Sequence, residues 1–300
     1  MFFTNAIVYK FKQVPDYGMP SFEAALQQDK FKPCGAQQLS TFGWANALGK
    51  HGKELAHFSG SKVLICARNE EKILPPAVVN EMLAAKVEQI ELEENRPVNR
   101  KEKAELKENI IHTLLPQAFV KSNYTHAFID VEAGLIVINA ASFNKAEQVL
   151  AMLRKSLGSL PVVPLFGNYD LDLFLTTWLN GFKAPEGFEI GHDAILVEAE
   201  DNAATVKVKN HELNSEEVKA HLDGGKRVTS LHLAYNDRVN FNLNNDGTIK
   251  KIGYSDGLKE ENADIPKEDM PFKLDADFIL ASSELVEVIT KIEAALEGQE

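Results

Sequence analysis

Three hundred residues, 44% of them apolar, with a formal net charge of −12, describe a folded acidic chain of one large or two to three smaller domains. No apolar run of about eighteen residues and no basic start leading to a small-residue cleavage site is present, so a membrane span or secretory leader is excluded and a cytoplasmic location is expected. Cys34 and Cys66 are too few for a disulfide framework and lack Cys/His clustering, so reduced, packed thiols without sulfur-bound metal are expected.

Asn5 to Phe11 alternates and is rich in strand formers, and Ser21 is positioned to cap a short helix, FEAALQQ, that stops before Lys32 and Pro33. Gly35, Gly43, Gly49, Gly52 and Gly60 then punctuate a loop-rich stretch containing Trp44. Lys62 to Arg68 reads as a buried strand, which puts Arg68 and Lys72 at a strand end. There they face either a phosphate or the neighbouring Glu70 and Glu71. Pro75 and Pro76 suit a helix start, with Val79, Leu83, Val87 and Ile90 at helical spacing. The pattern breaks between Arg96 and Asn99 and resumes with Leu106, Ile110 and Leu114 before Pro116. Two amphipathic helices back to back predict a hairpin whose charged outer faces are those of a protrusion, suited to a four-helix contact with a second copy. On its residues alone, Phe119 reads as a core aromatic.

Ala127 to Ile129 and Gly134 to Asn139 predict paired strands. Ala146, Val149, Leu150, Leu153 and Leu157 predict a helix ending at Gly158, with Lys145, Arg154 and Lys155 at the edges or outer face of its apolar stripe. Pro161 and Pro164 hold Leu160 to Leu165 extended, and LDLFLTTWLN reads as a helix ending near Gly181. Gly187 and Gly191 mark a loop. AILVEAE (194–200), ATVKVKN (204–210) and VTSLHLAYN (228–236) are predicted strands, and a helix capped by Ser215 and closed by Gly224 lies between the last two. Asp246-Gly247 predicts a tight hairpin between Val239 to Leu243 and Thr248 to Tyr254. DADFILASSELVEVITKIEAALE predicts a strand followed by a terminal helix on Leu285, Val288, Ile289, Ile292 and Leu296.

No phosphate-binding loop, nucleophile elbow, HExxH or dinucleotide fingerprint occurs, so no catalytic residue, metal site or cofactor is assigned and the chain reads as a non-enzyme. Asn242, Asn244, Asp246 and Gly247 echo a calcium loop, but Gly253 stands where the closing glutamate belongs, and the echo is assigned to the hairpin turn. His211, His221 and His232 are spread over different predicted elements. What remains is four pairs of cations: Arg68 and Lys72, Arg154 and Lys155, Lys207 and Lys209, Lys226 and Arg227. Cations outnumber acids up to Lys72, whereas acids exceed bases about three to one from Asp256 onward. Either an acidic rim around a basic interior or a solubilising acidic surface accounts for that asymmetry. Dispersed cations suffice for duplex binding without base readout if the fold brings them to one surface.

VLICARNEEKILPPAVV (63–79), LLPQAF (114–119), RKSLGSLPVVPL (154–165) and DADFIL (275–280), in this order and spacing, resemble the RdgC family of bacterial recombination-associated proteins. The resemblance runs essentially from end to end. It implies a nucleoid protein that binds duplex DNA without sequence preference as a ring-shaped homodimer and restrains RecA-driven recombination. It implies a dimer contact at the position of Phe119, near Leu114 and Leu115. It also implies a basic finger ahead of the helix matching Ser215 to His221, whose tip here reads VKVKNHE, with Lys207 and Lys209 kept and Asn210 and His211 where family members carry lysine and glutamine.

The expected architecture is therefore α+β. A mixed central region comprises residues 1–75 and 117–180, a helical hairpin (76–116) forms a dimer tip, and a second β-rich module covers 181–300. A rival reading, carried by the acidic C-terminal part, is a protein-interaction module that acts on a recombination protein and touches DNA little.

Overall fold

The computed structural model describes residues 1–14, 18–198, 204–266 and 268–298. The fold is α+β and its named strands pair antiparallel. In chain order the strands and helices are β1 (Asn5–Phe11), α1 (Met19–Gln28), β2 (Ser40–Ala45), β3 (Ala56–Ser59), β4 (Lys62–Ile73), α2 (Pro76–Glu94), α3 (Arg100–Leu114), β5 (Phe119–Asp130), β6 (Leu135–Ile138), α4 (Phe143–Leu157) and β7 (Val162–Pro164). They continue with α5 (Leu171–Asn180), β8 (Phe188–Glu198), β9 (Thr205–Val208), α6 (Glu216–Asp223), β10 (Lys226–Tyr235), β11 (Val239–Asn244), β12 (Ile249–Tyr254), α7 (Asp256–Glu260) and α8 (Met270–Glu297). No helix among the described residues is long and apolar enough to cross a membrane.

The chain divides into two compact units whose boundaries differ from those the sequence suggests: Met1–Gln28, Asn46–Cys66 and Thr125–Glu300 form one, Asp29–Ala45 and Ala67–Tyr124 the other. The division falls there because β1 hydrogen-bonds along both edges, to β6 (Val8↔Val137) on one side and to β7 (Lys10↔Val163) and β12 (Asn5↔Lys250) on the other. Residues 181–300 therefore share a sheet with the N-terminal strand instead of standing as a separate module.

In the first unit the strands run β6-β1-β12-β11-β10-β8-β9. Their buried face packs against α5 and α8, with Phe128, Phe241, Leu175, Trp178, Phe278 and Leu285 in one apolar cluster. α4 ends as its sequence demands, at Gly158 in the left-handed region (φ 79°), with Ala146, Val149, Leu150 and Leu153 buried. α1 opens at Met19, ahead of the expected start. Ser21 lies inside its first turn, and its hydroxyl donates to the Gly18 carbonyl at 2.8 Å instead of capping.

Two readings of this unit are corrected. DADFIL is helical: α8 begins at Met270, with Asp269 accepting from the Phe272 amide and Pro271 in the first turn, so no strand precedes it. Phe278 and Ala281 simply extend the stripe of Leu285, Val288, Ile289, Ile292 and Leu296 by two turns. Gly191 lies within β8 rather than a loop, because a Cβ there would stand 1.8 Å from Nδ1 of His232 on β10. β8 itself begins at Phe188, ahead of the predicted strand, whose residues 199 and 200 lie outside the described residues.

The second unit holds β2, the helices α2 and α3, and the outer parts of β4 and β5. The stretch around Trp44 is a strand, not a loop. Gly43 lets its backbone approach the 29–31 segment so closely that a Cβ would fall 2.5 Å from the Phe31 Cα, and Trp44 exchanges amide bonds there with Asp29 and Phe31. β4 continues to Ile73, so Arg68 is a mid-strand residue, while Lys72 does stand at the strand's end. Two successive helices occupy the predicted stretch: α2 stops at Asn95 in the left-handed region, and Asn99 caps α3 by accepting from the Glu102 amide at 2.9 Å.

Candidate nucleic-acid interface

Strand register decides which cations share a surface, since directly opposite residues in an antiparallel pair point to the same face. Val197 of β8 lies opposite both Thr205 of β9 and Arg227 of β10, while Ile195 lies opposite Lys207. Val206 and Val208 turn inward against the core cluster. Thr205, Lys207, Val197 and Arg227 consequently occupy one outward face, with Lys207 and Arg227 about 12 Å apart, two strand spacings across and two residues along. Lys226 falls on the opposite face, across from Glu198.

Arg227 does not stand alone on that face. Its guanidinium donates to Asp172 at 3.1 Å. Burial works against the ionised form of Asp172, but hydrogen bonds from Asp170 and Arg227 outweigh it and hold the carboxyl below its usual range. The hydrogen bond that Asp170 shares with Asp172 raises Asp170 in turn. Part of the Arg227 charge is thus met within the chain.

Beyond β9 the finger turns at Asn210 in the left-handed region (φ 49°). The Asn210 amide donates to the Asp193 carboxylate at 3.0 Å and the His211 amide to the His192 carbonyl at 3.2 Å. Between this turn and α6, whose Ser215 cap accepts from the Val218 amide, lies a cleft of about 390 Å³. Lys207, Lys209, His211, Glu217 and His221 are among the residues that line it. Sequence reasoning left His211 and His221 aside because they stand on different elements, and the turn at Asn210 is what joins them.

Arg154 and Lys155 are exposed at the C-terminal end of α4. Lys12, overlooked in the sequence, is exposed beside the segment that follows that helix, its amide donating to the Pro161 carbonyl at 2.9 Å.

Arg68 and Lys72, in the second unit, are engaged within the chain. Arg68 bonds Glu70 at 2.8 Å and Ser122 at 3.1 Å, and its guanidinium stacks 4.1 Å from the Phe31 ring. The Lys72 ammonium donates to the carbonyls of Ala36 and Leu115 at 2.7 and 2.6 Å. Of the apolar positions there, Leu115 is buried and Leu114 half-buried, whereas Phe119 is 82% exposed and so is not a core aromatic.

Among the described residues no three His, Cys, Asp or Glu side chains are grouped to hold a metal ion. A family model described as "Putative exonuclease, RdgC" matches residues 1–299. The chain is 60% identical over 296 residues to the recombination-associated protein RdgC of Pseudoalteromonas translucida, a match covering 99% of this chain and 98% of that protein. It is 42% identical over 300 residues to the protein of the same name from Aeromonas hydrophila, covering 100% and 99%. Against that of Yersinia enterocolitica the identity is 40% over 299 residues, again covering 100% and 99%. The chain belongs to the RdgC family of recombination-associated proteins.

Proposed function

We propose that this protein binds double-stranded DNA without reading its sequence, encloses it as a ring-shaped homodimer, and so restrains RecA-mediated recombination on the nucleoid, as a binding protein rather than an enzyme. The observation that carries the reading is the outward face of β8, β9 and β10, which Lys207 and Arg227 share beside the finger bearing Lys209. Such a face offers cations to phosphates, which suits backbone contact without base readout. The exposed Phe119 ring supports a self-complementary contact, because an aromatic so bare on a folded chain suits an interface.

The acidic C-terminal helix, which favoured a protein-interaction module, is partly committed within its own chain. Glu284 binds Arg238, Glu287 accepts from the Tyr235 hydroxyl, and Glu293 pairs with Lys10.

Electrophoretic mobility of random duplexes across a salt series tests the reading. Affinity should fall by orders of magnitude between about 50 and 200 mM salt and be alike for every sequence. A flat salt response, preference for one sequence, or release of nucleotides from duplex ends would overturn it.

A further inference from the structure

We propose that the finger is proton-regulated: His211 and His221 join Lys207 and Lys209 as phosphate contacts when they take up protons, and Glu217 occupies His211 until a phosphate replaces it. This rests on the DNA-binding reading above and adds a regulation to it.

The geometry begins at the turn. With Asn210 pinned to Asp193 and the His211 amide to the His192 carbonyl, the His211 ring is delivered to α6, where Nε2 lies 3.3 Å from Oε2 of Glu217. Glu217 and His221 are four residues apart on α6 and so share a side of the helix. Both line the cleft that Lys207 and Lys209 also line. Glu217 sits in the first helical turn, where the helix dipole favours a negative group, and an incoming phosphate can satisfy the same field.

Charge counting gives the direction. With both imidazoles neutral, two lysines face one carboxylate across the cleft; with both protonated, four cations face it. The remaining charged groups are already engaged or peripheral. Asp193 accepts from the Asn210 amide, Lys219 pairs with Glu216 at 3.8 Å, His192 is exposed on β8, and Glu212 follows His211 in the turn. Each imidazole that takes up a proton adds one positive charge to the cleft. The Glu217 carboxylate is 82% exposed. Such a surface pair is worth about 0 to 1 kcal/mol, weak enough for a phosphate diester to displace it. A DNA phosphate then binds the protonated ring, and binding draws a proton from solvent.

The test measures binding of a short fluorescent duplex to the full-length chain at constant ionic strength, from about pH 8 to about pH 6, with the His211→Gln/His221→Gln and Glu217→Gln variants alongside. Uptake of one proton per finger should tighten wild-type binding about ten-fold over this range. The salt slope should steepen by about one for each phosphate gained. The double histidine variant should keep the affinity seen at high pH and lose the pH dependence. Glu217→Gln should bind more tightly than wild type at about pH 8, having lost the competing carboxylate. All variants share every other titrating group, so the difference between curves isolates the finger. Equal pH dependence in wild type and double variant, or weaker binding by Glu217→Gln, overturns the proposal while leaving the DNA-binding reading standing. Failure of the wild-type chain to bind duplex at any pH or salt overturns that reading and the proposal with it.

Discussion

The guanidinium carbon of Arg68 lies 4.1 Å from the centroid of the Phe31 ring, and the same group donates at 2.8 Å to a Glu70 carboxylate that is only 5% exposed. The stack and the ion pair fix Arg68 as a structural cation. Glu70 also accepts from the Cys34 amide at 2.8 Å, so the pair ties the 34 segment to β4. Removing one member of a buried pair leaves the other charge unmet, at a cost of about 3 kcal/mol. Arg68→Ala should therefore lower the unfolding free energy by roughly that amount while leaving the high-salt and low-salt DNA affinities in their wild-type ratio. Denaturant melts beside mobility shifts check both halves. A stable variant with a reduced salt slope would make Arg68 a phosphate contact after all.

Charge reversal of the exposed cations should behave in the opposite way. Arg154→Glu/Lys155→Glu and Lys207→Glu/Lys209→Glu are each expected to weaken duplex binding at least about ten-fold at low salt, uniformly across sequences, and to flatten the salt slope by about two. Stability should stay within about 0.5 kcal/mol of wild type, as is usual for surface substitutions. Unfolding of the α4 variant in thermal melts would instead make its basic end part of the fold.

Phe119→Ser should leave the folded chain intact, since the ring is exposed within it. If that ring is buried between subunits, its loss costs roughly 3 kcal/mol of contact and weakens association by about two powers of ten. Sedimentation should then show a weakened assembly, and closed circular DNA should be retained poorly while short linear duplexes still bind. Retention of circles equal to wild type would remove Phe119 from ring closure.

Acid should destabilise the first unit through His126. Burial pushes its imidazole down to about 4 from the usual 6.5. The folded chain thus resists a proton that the unfolded chain accepts, and the sign follows: no effect above about pH 6.5, then a loss of about 1.4 kcal/mol per pH unit down to about pH 4. His126→Gln should flatten that part of the stability curve. An unchanged acid limb in denaturant melts would place the sensitivity elsewhere.

The elements with strong local signals were readable from sequence: the period of α4 and its Gly158 stop, the Ser215 cap of α6, and the Asp246-Gly247 turn between β11 and β12. β2 escaped because Gly43, a loop signal by composition, serves close backbone approach instead. The first half of β5 escaped because FVKSNYTHA carries no clean alternation. At the candidate site the cations were visible but their grouping was not. That Lys207 and Arg227 share a face follows from a register through β8, and that Arg68 is consumed by Phe31 follows from two segments distant in sequence.

β1, paired along both edges, is synthesised well ahead of one of its partners. β1 leaves the ribosome early, yet one of its partners lies at residues 249 and 250, so this sheet cannot close until most of the polypeptide is out. The second unit draws only on residues 29–45 and 67–124 and has all its material far sooner. During the interval the growing chain carries a strand whose Asn5–Ala6 end lacks its β12 neighbour, which is a template for pairing with other nascent chains. Interruption of translation ahead of the last hairpin therefore leaves that end of β1 with an open edge, a site exposed to aggregation.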